Sequence, residues 1–190
     1  MTSIDSFRTL LVDQLRELYD AEQLLVGALA DLAGSATDSS LSAFLQARLM
    51  ETSAHLARIE DIFAKLDIPA LASPSSMVRG LVRDSERHIG GAFESGALRD
   101  AAIVGLALQF VHYGIAGYST AIAHADVLGA DEVIQGLDSM LVDELSADRA
   151  LKHLAERVTT PERHRDDRSW DPDAIEGWPT SGDTASRRLH

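Results

Sequence analysis

Apolar residues recur at three- and four-residue steps over four long stretches of the chain, the spacing that gathers them on one side of an α-helix. In the first stretch, from about Asp5 to Ala33, the stripe is Phe7, Leu11, Leu18, Leu25, Leu29 and Leu32. Asp5 or Ser6 offers a capping side chain at its start, and Gly34 marks its end. The polar run 35–40 forms a short loop. The second stretch, Leu41 to Leu66, carries Leu41, Leu45, Leu49, Leu56, Ile59, Phe63 and Leu66. Pro69 and Pro74 then break the helix, and a shorter one is expected over Met77 to Ile89. Gly90, Gly91 and Gly96 punctuate the next connection. A third long helix spans about Leu98 to Leu128 and stops at Gly129; a fourth covers Asp131 to Val158, with Val133, Leu137, Leu141, Leu151, Ala155 and Val158 as its stripe.

Two helical hairpins with short loops, separated by some 30 residues, predict an all-α, ferritin-like antiparallel four-helix bundle whose long crossover contains a short fifth helix. The bundle occupies residues 1–158. Residues 159–190 have no period and are rich in Asp, Arg and Ser, so they are expected to form a polar C-terminal tail. Trp170, Ile175 and Trp178 are its large apolar residues, and they offer a docking point on the bundle or on a protein partner.

The stretch Ala101–Ala123 contains no charged residue and is long enough to span a membrane. Gln109, His112, Tyr113, Ser119 and Thr120 interrupt it, and neither an aromatic belt nor a basic flank accompanies it. A central bundle helix, buried on most sides, is the expected reading, with no membrane partner. The net charge of −13 argues against nucleic acid as a partner and favours attraction of cations. With no cysteine in 190 residues, any metal must be held by carboxylate, imidazole or water. The N-terminus lacks a basic segment followed by an apolar run, so a cytoplasmic location is expected.

Several polar residues fall where the helical period calls for apolar ones. Glu22 lies on the stripe Leu18, Glu22, Leu25, Leu29 of the first helix. Glu144 and Asp148 lie one turn apart on the stripe of the fourth, and Glu51 and His55 one turn apart near that of the second. A buried carboxylate must be paired, protonated or bound to a metal. Inward carboxylates and imidazoles from several helices are the donors of a di-metal carboxylate site for Fe or Mn. The plainer alternative is pairing within the protein, for which Arg48 and Arg149 are available. No metalloprotease histidine pair, nucleophile motif or phosphate-cradling loop appears.

The segment Leu18-Tyr19-Asp20-Ala21-Glu22-Gln23-Leu24-Leu25 resembles the first-helix signature of the YciE/YciF family of ferritin-like stress proteins. Glu51-Thr52 with His55 and Arg58-Ile59-Glu60 resembles its second helix, and Arg99-Asp100-Ala101-Ala102, His112-Tyr113 and Ile115-Ala116-Gly117-Tyr118 its third. Glu144 with Ala147-Asp148 resembles its fourth, so the likeness runs over about residues 5–158. The resemblance implies a ferritin-like bundle, often dimeric, linked to bacterial stress responses and able to carry a di-metal centre. Carried over by position, Glu22, Glu51, His55, Glu144 and Asp148 stand where metal ligands would. The family's third helix usually reads Glu-His-Tyr-Glu, whereas this chain reads Val111-His112-Tyr113-Gly114. Both glutamates are absent, and His112 is the candidate substitute. The expectation is therefore a stress-response protein with a partly degenerate Fe/Mn site; its alternative is a metal-free bundle acting as a structural or protein-interaction module.

Overall fold

The computed structural model describes residues 6–91, 93 and 95–163. Within them lie the helices α1 (Phe7–Ser35), α2 (Ser39–Lys65), α3 (Ser76–Ile89), α4 (Gly96–Val127) and α5 (Asp131–Arg163). The first four begin at a short polar side chain that accepts a hydrogen bond from the amide three residues on: Ser6 from Thr9, Asp38 from Leu41, Ser75 from Val78 and Ser95 from Leu98. That is why α2 and α4 start two residues before their apolar stripes. α1 continues through Gly34 to Ser35 and ends at Ala36, which is extended and whose amide donates back to the Leu32 carbonyl. Gly129, at φ 61°, makes the left-handed turn between α4 and α5. α5 runs on through Pro161 to Arg163, five residues beyond the expected end; the rest of the proposed tail lies outside the described residues.

α1 packs against α2 and α4, and α5 packs against α4 and α2. Each adjacent pair is antiparallel, so α2 and α4 sit diagonally and run the same way. The connection between them must travel the length of the bundle, and α3 lies along it against α1 and α4. This is the ferritin-like wiring expected from the two hairpins. α4 is long and apolar enough to cross a membrane by length and composition, and half of its most apolar stretch is buried inside the bundle. At Gly117 the neighbouring helix comes so close that a Cβ would lie 2.6 Å from Leu18 Cδ2.

The core is divided. One cluster gathers Leu25, Leu29 and Leu32 with Leu41, Leu45, Val104, Phe110 and Leu151. The other gathers Leu11, Leu15 and Leu18 with Ile59, Phe63, Tyr118 and Leu137. Between them, at mid-height, Glu22, Arg48, Thr52, His55 and Glu144 form a buried polar layer.

Two further buried acids hold the connections. Asp20 accepts from the Ser75 amide at 2.9 Å and from Arg79 Nη2 at 2.7 Å, pinning the crossover to α1. Asp100, on α4, accepts from the Thr37 amide at 2.7 Å, Thr37 Oγ1 at 2.6 Å and the Asp38 amide at 2.9 Å. It thereby ties the loop of one hairpin to the first turns of the other. Asp100→Ala is expected to destabilise the protein by about 2–4 kcal/mol, since a buried charged acceptor and its three donors are lost together. Urea denaturation measures this; a change below about 0.5 kcal/mol would show the loop to be held by packing alone.

Candidate metal centre

Four helices contribute to the polar layer. On α2, Arg48, Thr52 and His55 follow one another at steps of four and three and so share the inward face. α1 brings Glu22, and α5 brings Glu144, at the break in each leucine stripe. α4 brings Gly114 and Tyr118, one turn apart. Gly114 is small for a steric reason: a Cβ there would meet Glu144 Cδ at 3.0 Å and Cγ at 3.1 Å. The space that a third-helix glutamate would fill is thus taken by the carboxylate of Glu144.

Glu22, His55 and Glu144 offer one donor atom each, and these atoms lie within 4.8 Å of one another. His55 Nδ1 stands 3.6 Å from Glu22 Oε1 and 3.7 Å from Glu144 Oε1. Its Nε2 lies 3.2 Å from Asp143 Oδ2, which also accepts from Arg58 Nη1 at 2.9 Å. The Tyr118 hydroxyl donates to Glu22 Oε1 and lies 3.5 Å from His55 Nδ1. Arg48 spans two carboxylates: Nη2 donates to Glu144 Oε1 at 2.6 Å and Nη1 to Glu51 Oε2 at 2.7 Å. The second oxygens, Glu22 Oε2 and Glu144 Oε2, are buried without a hydrogen-bond partner, as is Thr52 Oγ1. A cavity of about 10 Å³ bordered by Glu22, Arg48, Thr52, Gly114 and Glu144 lies among them, room for about one water-sized particle.

This donor set fits one metal ion. Two bonds of about 2.2 Å span at most about 4.4 Å, so the three donor atoms need close only slightly on a shared ion. It does not fit two. Glu51 is on the outer flank of α2, half exposed and bonded to Arg48. Asp148, expected to point inward, turns instead toward α4, where Oδ1 meets His112 Nε2 at 3.0 Å and Oδ2 accepts from Lys152 at 2.6 Å. The inward row of α5 is Met140, Glu144, Ala147 and Leu151, and Ala147 takes the place that Asp148 would need. His112 is exposed for a similar reason: Val111 and Gly114 occupy the inward row of α4, so His112 does not replace the missing glutamates.

Tyr118, Asp143 and Gly114 were not singled out as site residues in the sequence. Tyr118 continues the inward row of α4 one turn past Gly114, which is a legible signal. Asp143 carries no such signal, because it stands beside Glu144 but a hundred degrees around the helix, and only the position of α2 makes it a partner of His55.

The site's protonation follows from burial and mutual charge. Burial pushes Glu144 up, against the pull of Arg48, and Glu22 adds to the rise, leaving the carboxyl at about 7. Burial disfavours the His55 cation, but the hydrogen bond and charge of Glu22, with Glu144 and Asp143, outweigh it and hold the ring above its usual value. Burial and the Glu22 charge push Tyr118 well up, so it stays a donor. Burial would raise Asp143, yet Arg58 and His55 hold it below the usual range.

A family described as a domain of unknown function, DUF892, matches residues 6–163. The chain is 28% identical to the protein YciF of Escherichia coli over 154 residues, which cover 80% of this chain and 92% of that protein. The crystal structure of the E. coli stress protein YciF matches with a TM-score of 0.78 at 27% identity, covering 82% of this chain and 98% of that one. YcfI from Rhodopseudomonas palustris, whose description proposes a structural role, matches with a TM-score of 0.75 at 33% identity, covering 79% of this chain and 95% of that one.

Because Glu144 is raised from 4.5 to about 7 in the folded chain, folding takes up a proton in that window and stability falls as pH rises through it. His55, also raised, contributes with the same sign above its ordinary 6.5; Asp143, lowered, contributes stability that is lost as pH falls below about 3.8. In metal-free protein, Glu144→Gln is expected to gain about 3 kcal/mol on the wild type between pH 4.5 and 7.5. Urea titrations at each pH read this difference, and a pH-independent one would contradict the assignment.

Proposed function

The chain belongs to the DUF892 family, and on that footing we propose that it is a stress-response protein of the YciF kind whose bundle binds one divalent Fe or Mn ion through Glu22, His55 and Glu144. One observation carries this reading: two deeply buried carboxylates from different helices bring one oxygen each to 3.6 and 3.7 Å from the His55 imidazole, while their second oxygens lack partners beside a cavity the size of one small particle. Arg48 is one cation against two buried carboxylates, so their compensation is incomplete without a further cation or a proton.

A bound Fe or Mn ion would supply one-electron chemistry toward oxygen or peroxide. The protein's residues have separate tasks. Asp143 takes the Nε2 side of His55, which leaves Nδ1 as the donor facing Glu22 and Glu144. Tyr118 fixes the Glu22 carboxylate from below through its hydroxyl. The two leucine-rich clusters above and below the layer exclude water. The same reading makes the protein a cytoplasmic homodimer, with its strongly acidic charge keeping it from nucleic acid.

A second reading is a metal-free structural bundle. The 2.6 Å pair between Arg48 and Glu144, both buried, supports it, because the guanidinium already supplies one compensating charge.

Mn²⁺ titration by calorimetry, with elemental analysis of the metal-loaded protein, separates the two. One Mn per chain is expected, with Glu22→Gln and His55→Gln each weakening binding by about 100-fold or more and Asp148→Asn leaving it unchanged. Wild-type protein that retains no Mn²⁺ would favour the metal-free bundle.

A further inference from the structure

Arg48 borders two spaces. One is the buried cavity with Glu22 and Glu144. The other is a half-enclosed cleft of about 110 Å³ between α2 and α5, lined by Phe44, Arg48, Glu51, Asp143, Ser146 and Ala147 among others. Arg48 and Phe44 line both spaces and so form the wall between the outer cleft and the buried donors, with the guanidinium as its charged part. The guanidinium's two hydrogen bonds point to opposite sides of that wall: Nη2 inward to Glu144, which is buried, and Nη1 outward to Glu51, which is half exposed.

We propose that Arg48 gates a route for divalent cations through the α2–α5 cleft, ceding Glu144 to the arriving ion and remaining anchored on Glu51. This rests on the single-ion reading of Glu22, His55 and Glu144. The argument is one of charge and reach. Without metal, Glu22 and Glu144 bury two carboxylates in one layer, and Arg48 is the permanent cation among them. A divalent ion at the same carboxylates supplies that compensation itself and repels the guanidinium a few ångströms away. The long, flexible arginine stem has a second carboxylate already in place to receive it. At the mouth, Glu51 and Asp143 present negative charge to solvent, with Arg58 paired to Asp143. The two unpartnered oxygens, on glutamates each 3% exposed, lie behind the gate.

The test is the rate and affinity of Mn²⁺ binding to the full chain, followed by stopped-flow quenching of intrinsic fluorescence and by calorimetry. Arg48→Met keeps the apolar stem and removes the charge; it is expected to raise the association rate and the affinity by about tenfold or more. Glu51→Ala, a surface change that does not threaten folding, removes the outer anchor and is expected to slow association several-fold. Arg87→Met, on the exposed face of α3, is the control and should change neither. Opposite effects of the Arg48 and Glu51 variants that persist at high salt, where steering by exposed charge is screened, are the signature of a gate; effects that vanish there overturn it. If wild type binds one Mn²⁺ and neither variant alters rate or affinity, the gate is overturned and the single-ion reading stands. If wild type binds none but Arg48→Met binds one, the gate stands as a permanent lock and the single-ion reading of the native chain fails. If none of the proteins binds Mn²⁺, both fall. Should Arg48→Met not fold, the Glu51→Ala rate decides alone: unchanged or faster association overturns the gate.

Discussion

Two carboxylates buried at mid-height of a four-helix bundle impose the constraint on which this structure turns. Glu22 and Glu144 are each about 3% exposed and sit in a layer where water is nearly excluded. Their charge must be met from within the protein or by a bound cation, or removed by protonation. Around that requirement the neighbouring choices become intelligible. Arg48 supplies a cation, Tyr118 and His55 supply donors, and Gly114 gives up its side chain so that Glu144 has somewhere to lie. The leucine clusters above and below hold the four helices in register so that these groups meet.

The layer stands between two states of compensation. With Arg48 on Glu144 the charge is partly balanced by an internal ion pair, which protein interiors tolerate only with good geometry and further hydrogen bonds. The second oxygens of both glutamates lack such bonds. The raised Glu144 carboxyl expresses the same shortfall, because a group with adequate partners would not be pushed so far by burial. A bundle selected for rigidity alone has a simpler solution in leucine, as the rest of its core shows. The buried acids are therefore the feature that calls for an explanation, and with Val111 and Gly114 on the inward row of α4 only three donors converge among the described residues.

Much of the site was visible in the leucine stripes. Glu22 and Glu144 interrupt leucine stripes, and both are buried. His55 lies beside its stripe and reaches the same layer. Glu51 and Asp148 were expected with them but lie outside, and the reason is angular. A residue four positions along a helix overshoots a full turn by about 40°, which matters little for a bulky leucine and decides everything for a carboxylate on the edge of a face. Asp148 consequently meets His112 and Lys152 at the surface, and Glu51 serves Arg48 from without. Asp20 and Asp100 were silent in the sequence, since each is buried by a partner more than 50 residues away.

The amino-acid sequence by itself determined the helices, their order, the two hairpins and the long crossover. These follow from local periodicity, caps and breakers, which act over a few residues. It also determined which chemistry is available, because a chain without cysteine leaves oxygen and imidazole donors. Only the tertiary structure decided which of those donors converge, that Arg48 stands between cleft and cavity, and that Gly114 yields its space to Glu144. Such outcomes depend on the rotation and spacing of helices relative to one another, and these are set by packing across the whole core, which no single helix encodes.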